Sequence, residues 1–338
     1  MTSSMMDPRI DPRIKAAFGA LLDASPAGNV ASRQAILAEA AADERAAPAI
    51  ELADSFDRGA SPFDGLTVAV ETFISSPDGN TIKLLLIRPI RAEPLACIYY
   101  IHGGGMATRS CLDDLHQAWG RLIAAQGVAV AMVDFRNCLS PSSAPEVLPY
   151  PAGLNDCVSG VKWLHAQSAV LGIDPNRIVV AGESGGGNLA LATGLKLKRD
   201  GAVGIIKGLY ALCPYIAGEW PLAQNPSSIE NNGILIDVHD NRSAMAYGIE
   251  AFEERDPLAW PGFATAQEVR GLPQTMISVN ECDPLRDEGV NFYRLLLNNG
   301  VRARCRQVMG TTHGAEIFMC CPDISRDTAR DLAVFARD

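Results

Sequence analysis

No stretch of this 338-residue chain approaches the ~18 uninterrupted apolar residues that a membrane-spanning helix requires. The N-terminus also lacks a sustained apolar core. Asp7, Arg9, Asp11 and Arg13 interrupt it, so no secretory signal peptide is expected. There is no excess of basic residues: 29 Lys and Arg against 39 Asp and Glu give a net charge of −10. That balance argues against nucleic acid and against anionic membrane surfaces as partners. Histidine is scarce, with five in the chain, and no His/Cys cluster has zinc spacing. Cys320-Cys321 are adjacent and do not form a C-x-x-C pair, so neither a metal nor another cofactor is expected. Nine cysteines cannot all pair within the chain. Cys97 and Cys213 sit inside apolar runs as small buried hydrophobes, which implies a reducing, cytoplasmic compartment.

What is present suits one large α/β domain with a small accessory element, since 48% of residues are hydrophobic. Residues 66–74 and 80–89, split by Pro77-Asp78-Gly79-Asn80, predict a hairpin. Strands are predicted over 95–101, 128–134, 178–182, 205–212, 274–280 and 303–309. Helices lie between most of them, including 286–298 with Asn299-Gly300 as its stop. This alternation implies a mostly parallel sheet with helices on both faces. About sixty residues separate the strands at 205–212 and 274–280, and the helical material within Ile234–Glu254 suggests a functional lid. Residues 1–50 look helical and amphipathic, with Ile14, Phe18, Leu21 and Leu22 on one face. The two Asp-Pro-Arg-Ile tetrads at 7–10 and 11–14 are too short to predict a structural repeat.

Gly182-Glu183-Ser184-Gly185-Gly186 carries the chemistry. It follows the apolar run Ile178–Ala181 and precedes Gly187-Asn188-Leu189-Ala190-Leu191-Ala192, which reads as a helix. A strand, a glycine-flanked turn carrying one serine, and a helix make a nucleophile elbow. Upstream, His102-Gly103-Gly104-Gly105 follows the strand-like Cys97–Ile101. Amides left unshielded by glycine can stabilise the oxyanion that forms in acyl transfer. The expected donors are Gly104, Gly105 and Gly185.

A serine nucleophile needs a base. His102 belongs to the glycine loop. His116 and His165 fall in helix-like stretches as packing or surface residues, and His239 falls in a polar loop. His313, in a loop after the last strand, remains. The triad order then puts the acid between serine and histidine, after a strand. Asp283 fits, because Pro284 holds it extended in the loop. Asp287 and Glu288 start the next helix, where a carboxylate favours the helix dipole without a catalytic role.

These motifs, together with Asp283-Pro284-Leu285-Arg286-Asp287-Glu288 and His313-Gly314, resemble the hormone-sensitive-lipase-like branch of α/β-hydrolase esterases. The resemblance runs from about residue 60 to the C-terminus. It implies an α/β-hydrolase fold with a mostly parallel eight-stranded sheet, flanking helices and a helical cap. The implied division is 1–60 as the N-terminal part of the cap, 61–216 as the first part of the catalytic domain, 217–258 as the cap insertion and 259–338 as the second part. Two departures stand out. The branch usually has Asp before the serine and Ala after it, where this chain has Glu183 and Gly185. The usual Tyr-Arg-Leu-Ala-Pro-Glu segment is replaced by Phe135-Arg136-Asn137, with Ala144-Pro145-Glu146 a few residues later, which implies a longer loop near the site.

The expected activity is hydrolysis of short- to medium-chain carboxylic esters. Ser184 attacks, His313 is the base and Asp283 orients it. The same triad also cleaves lactones and amides, which the sequence does not separate. Some proteins of this fold bind ligand without turnover, but they commonly lose a triad member, and all three are present. The substrate is a small molecule. Related esterases often form homodimers, and the sequence leaves the oligomeric state open.

Overall fold

Leu95–Ile101 is buried at every position, as a strand covered on both faces must be. It is β3 of an eight-stranded sheet in the computed structural model, which describes residues 3–42, 65–91 and 93–338. The other strands are β1 (Leu66–Ile74), β2 (Thr81–Pro89), β4 (Ala129–Val133), β5 (Ile173–Glu183), β6 (Gly208–Leu212), β7 (Gln274–Cys282) and β8 (Ala303–Thr312). Their order is β1-β2-β4-β3-β5-β6-β7-β8. The opening hairpin pairs antiparallel with itself and with β4, and every later pairing is parallel.

Strand ends depart from the sequence expectation where pairing rather than pattern sets them. β5 begins at Ile173 and not at 178, because Leu95 pairs with Ile173 across an irregularity before Cys97 pairs with Ile178. β6 begins later than expected, at Gly208, since Val203–Ile205 form a 3-10 turn. The helices used below are α1 (Pro12–Phe18), α2 (Arg33–Ala42), α3 (Asp114–Ala124), α4 (Ala152–Ala166), α5 (Gly185–Arg199), α6 (Arg242–Tyr247), α7 (Arg286–Asn298) and α8 (Pro322–Arg337). The helix expected over 286–298 has those bounds, and Gly300 after it takes φ +76°.

Alternation along β3 divides the core. Cys97, Tyr99 and Ile101 pack with α4, α5 and α7, whereas Ala96, Ile98 and Tyr100 pack with α3 and α8. All the crossovers after β3 thus bring strand C-termini to one end of the sheet, where ligands of open α/β sheets bind.

Among the described residues, the N-terminal segment is four short helical pieces, Ser4–Met6, Pro12–Phe18, Gly19–Leu22 and Arg33–Ala42, rather than one amphipathic helix. Gly19, at φ +53°, ends α1 and turns the chain into a 3-10 segment, Gly19–Leu22. That change of pitch sends Leu22 inward with Ile14 and Phe18 and leaves Leu21 exposed, contrary to the expected face. Residues 43–60 of the expected N-terminal cap part lie outside the described residues. The Asp-Pro-Arg-Ile tetrads do repeat a structure. In each, the Asp side chain accepts the backbone N–H of the Arg two residues on and pairs with its guanidinium, while the Ile is buried. Arg9 then reaches Glu230 and Arg13 reaches Asp323, each at 2.7 Å or less. The long connection between β6 and β7 contains α6 and a second short helix, Ile249–Glu253, and α2 packs against α6.

Candidate active site

The elbow is built where chains approach too closely for side chains. A Cβ on Gly182 would lie 2.3 Å from the Gly186 carbonyl oxygen, and one on Gly186 would lie 2.0 Å from that of Ile101. Between them Ser184 takes φ +54° and ψ −119°, a strained conformation for a residue with a side chain. The strain persists because its surroundings fix it. Ser184 donates its N–H to the Leu212 carbonyl, and its own carbonyl accepts from Asn188 and Tyr215.

Three chain-distant side chains then meet. His313 Nδ1 lies 2.8 Å from Asp283 Oδ2, and His313 Nε2 lies 2.8 Å from Ser184 Oγ. A carboxylate only accepts, so Nδ1 carries the ring hydrogen and Nε2 is left to accept from the serine hydroxyl. Burial favours the neutral ring, but the Asp283 carboxylate outweighs it and holds the His313 pKa well above its ordinary value. Among the described residues, one group of metal-ligating side chains was found, Cys213, Asp283 and His313, with ligand atoms within 4.8 Å of one another. Two of the three already hold each other at 2.8 Å, closer than the ~3.3 Å set by two tetrahedral zinc bonds.

Gly104 and Gly105 take φ +98° and +65°, and a Cβ on Gly185 would fall 2.8 Å from the Gly105 nitrogen. The glycine loop therefore lies directly on the turn after Ser184. His102 stacks on Phe135 and donates Nδ1–H to the Gly103 carbonyl at 2.8 Å. Burial pushes its pKa down to about 4, so the ring is neutral. The replaced segment after Asn137 zips onto the same loop, with Cys138, Leu139 and Ser140 donating to Met106 and Ala107 carbonyls.

These groups open into a cavity of about 500 Å³. Ile36 of α2, Leu139, Ile236, Val238 and Ala246 form one wall, and Leu115, Ile317 and Phe318 contribute another. Its charged wall residues are engaged elsewhere: Arg109 with Asp113, Arg242 with Glu39, and Asp237 with Asn232.

Of the other histidines, His239 binds the Ser228 carbonyl, whereas His116 is buried against Glu183. Several supporting residues were not singled out by sequence. Asn231 donates to the carbonyls of Glu281 and Asp283, and Ser227 donates to that of Pro284. Both come from the long connection, and no local pattern marks them. Asp287 and Glu288 do more than favour the helix dipole. Asp287 accepts the Ser227 N–H and so braces the Asp283 loop. Glu288 accepts from Ile216, Ala217 and the Trp220 indole.

Comparison with known proteins agrees with this geometry. A family model described as the alpha/beta hydrolase fold matches residues 98–317. Carboxylesterase NlhH of Mycobacterium tuberculosis is 32% identical over 255 residues, covering 74% of this chain and 76% of that protein. The structure of esterase Est22 is 59% identical, covers 98% of this chain and 99% of its own, and superposes with a TM-score of 0.93. Brefeldin A esterase, a bacterial homologue of human hormone-sensitive lipase, is 37% identical with a TM-score of 0.89, over 98% of this chain and 94% of its own. The chain belongs to the alpha/beta hydrolase fold family, in the hormone-sensitive-lipase-like branch of esterases.

Proposed function

We propose that this protein is a serine carboxylesterase that hydrolyses short- to medium-chain esters through an acyl-enzyme on Ser184. The observation that carries this reading is the unbroken relay Ser184–His313–Asp283, with both contacts at 2.8 Å, at the floor of a mainly apolar cavity. Ser184 Oγ attacks the ester carbonyl as His313 Nε2 takes its proton. The tetrahedral oxyanion faces the amides of Gly104, Gly105 and Gly185. His313 returns the proton to the leaving alcohol, and water repeats the sequence on the acyl-enzyme.

A cavity of about 500 Å³, whose charged wall residues already have partners, favours a small neutral ester over a long-chain triglyceride. In this reading α2 and the 217–258 segment are the cap, since Ile36, Ile236, Val238 and Ala246 line the cavity that also holds Ser184. The nine cysteines are all free thiols, which supports a reducing, cytoplasmic setting.

The test is a hydrolysis profile across acyl length with wild type and Ser184→Ala. Soluble butyrate esters are expected to be turned over faster than emulsified long-chain triglyceride. A phosphonate ester is expected to label Ser184 alone in peptide mapping. Labelling of another serine, or undiminished turnover by Ser184→Ala, would overturn the reading.

A further inference from the structure

The residue before the nucleophile is where this chain departs from its branch, and its side chain leads away from the relay already described. Glu183 ends β5 and is 1% exposed. Its Oε1 accepts the Gly103 N–H at 2.5 Å and lies 3.1 Å from Nε2 of His116 in α3. His116 is also 1% exposed. Its Nδ1 lies 3.0 Å from the carbonyl oxygen of Ser110.

The hydrogen positions follow from the partners. A carbonyl oxygen only accepts, so Nδ1 of His116 carries a hydrogen. Nε2 therefore meets Glu183 with one further proton held between the two groups. Burial alone would raise the Glu183 carboxyl, but the His116 contact, helped by Tyr100 and then the Gly103 N–H, outweighs it and leaves it below its ordinary value. The two side chains thus share one proton across a buried contact. Nearby, the neutral His102 ring lies 5.2 Å from that of His116, and Asp113 approaches His116 Nδ1 at 4.0 Å.

The placement gives the pair its effect. Gly103 directly precedes Gly104 and Gly105, which line the cavity and are the expected oxyanion donors. Its N–H is fixed by Glu183 and its carbonyl by His102. That carbonyl shares a peptide plane with the Gly104 N–H and points the opposite way, so fixing one aims the other. A Cβ on Gly103 would stand 2.8 Å from Glu183 Oε1, which shows how closely the carboxylate is fitted to the loop.

We propose that His116 and Glu183 form a positioning pair for the oxyanion hole, holding Gly103 so that the Gly104 and Gly105 amides face the carbonyl attacked by Ser184. The proposal rests on the esterase reading above. Neither side chain exchanges a proton with substrate. They act by preorganising donors, and a displacement on the order of 1 Å in such a group can cost about 10²-fold in rate.

The experiment compares wild type, Glu183→Ala, Glu183→Gln and Glu183→Asp on a soluble butyrate ester, with folding checked by circular dichroism. Butylboronic acid, which forms a tetrahedral anion on the serine, reports the hole, and the non-hydrolysable ether analogue of the ester reports ground-state binding. Glu183→Ala is expected to lower kcat by about 30- to 100-fold with KM within about 3-fold, since a lost oxyanion donor costs ~10²–10³. Butylboronic acid affinity should fall by the same factor while ether affinity holds. Glu183→Gln, with its amide oxygen in the place of Oε1, keeps the acceptor for the Gly103 N–H, so it should rescue kcat to within about 3-fold of wild type. Should Glu183→Ala fail to fold, Glu183→Asp carries the test: one methylene shorter, it cannot meet both partners and should lose kcat and boronate affinity together. A folded Ala or Asp variant with near wild-type kcat, or a kcat loss without a matching boronate loss, overturns the proposal. An inactive wild type would instead overturn the esterase reading.

Discussion

The carboxylate of Glu288 accepts the Trp220 indole N–H at 2.7 Å, and with it the backbone N–H groups of Ile216 and Ala217. One buried acid in α7 thereby anchors the chain just after Tyr215, which stacks on Trp220 and lines the cavity.

This anchor makes stability depend on pH. Burial pushes the Glu288 carboxyl up from 4.5 to about 8, against the three donors that favour its ionised form. A group that binds its proton more tightly when folded contributes stability that is complete below its unfolded value and is lost as pH rises through the folded one. The window is therefore pH 4.5 to about 8. Thermal melts of wild type are expected to show Tm falling across that range. Glu288→Gln should flatten the slope and lower Tm at the acid end by the equivalent of about 1–3 kcal/mol, because its amide N–H must face a donor. A wild-type Tm that stays level, with an unchanged slope in Glu288→Gln, would remove Glu288 as the source.

The acid loop separates catalysis from bracing. Asp283 Oδ2 holds His313, while Oδ1 accepts the Leu285 N–H. Losing the group that keeps the base in its productive tautomer can cost on the order of 10⁴-fold in rate, so Asp283→Asn should collapse kcat with little change in Tm. Asn231→Ala frees two carbonyls, of Glu281 and Asp283, and Asp287→Asn weakens the grip on Ser227. Both should lower Tm, by about 1–3 kcal/mol for the buried Asn231. They should lower kcat far less than Asp283→Asn does. Kinetics and melts on the three variants decide it: if Asp287→Asn loses more kcat than Asp283→Asn, the acid is misassigned.

The relation of these results to the sequence is uneven for physical reasons. Strand–turn–helix context around Ser184 is local, and so are the glycine loop and the run ending before Asp283. Each could be read from neighbouring residues, and the mostly parallel sheet followed from alternation. What stayed hidden is side-chain pairing across elements. His116 reads as a helix residue, yet its partner is Glu183, 67 positions away. Ser227 opens a one-turn helix, Ser227–Glu230, and Asn231 follows it, too short a stretch to show a period, and both reach the acid loop across about fifty residues or more. Leu21 was misplaced because a helical wheel assumes one pitch, and Gly19 changes it. The tandem tetrads looked too short to fold alike, but an Asx-type turn closed by the Arg two residues on needs only three residues.

Cavity length should respond to Ile36. It is 4% exposed and lines the same cavity as Ser184, on a helix that packs on α6. Ile36→Ala removes part of the cavity wall, and Ile36→Trp fills the space in front of it. The Ala variant is expected to shift preference toward longer acyl or alcohol groups, and the Trp variant toward acetate. In each case kcat/KM for the best ester should stay within about 10-fold, since a methylene or two in an apolar pocket is worth about 1–3 kcal/mol. A profile across acyl length that is superimposable for all three proteins would detach α2 from the substrate path.

The base itself sets the last expectation. His313 must be neutral at Nε2 to accept the serine proton, so activity is lost as pH falls through its pKa. An unperturbed histidine would place that limb near ~6.5. Here burial favours the neutral ring, but the Asp283 carboxylate at 2.8 Å favours the charged one and prevails, moving the value upward. The acid limb of kcat/KM on a soluble butyrate ester should therefore lie above ~6.5. Glu288 titrates in a neighbouring range, up to about 8, so the profile must also be run in Glu288→Gln. If His313 sets the limb, that variant leaves it in place. Asp283→Asn removes the charge that raises His313, and its residual activity should show the limb displaced to lower pH. A wild-type limb below ~6.5, or an upward move in Asp283→Asn, would mean that the carboxylate is not what holds the proton on His313.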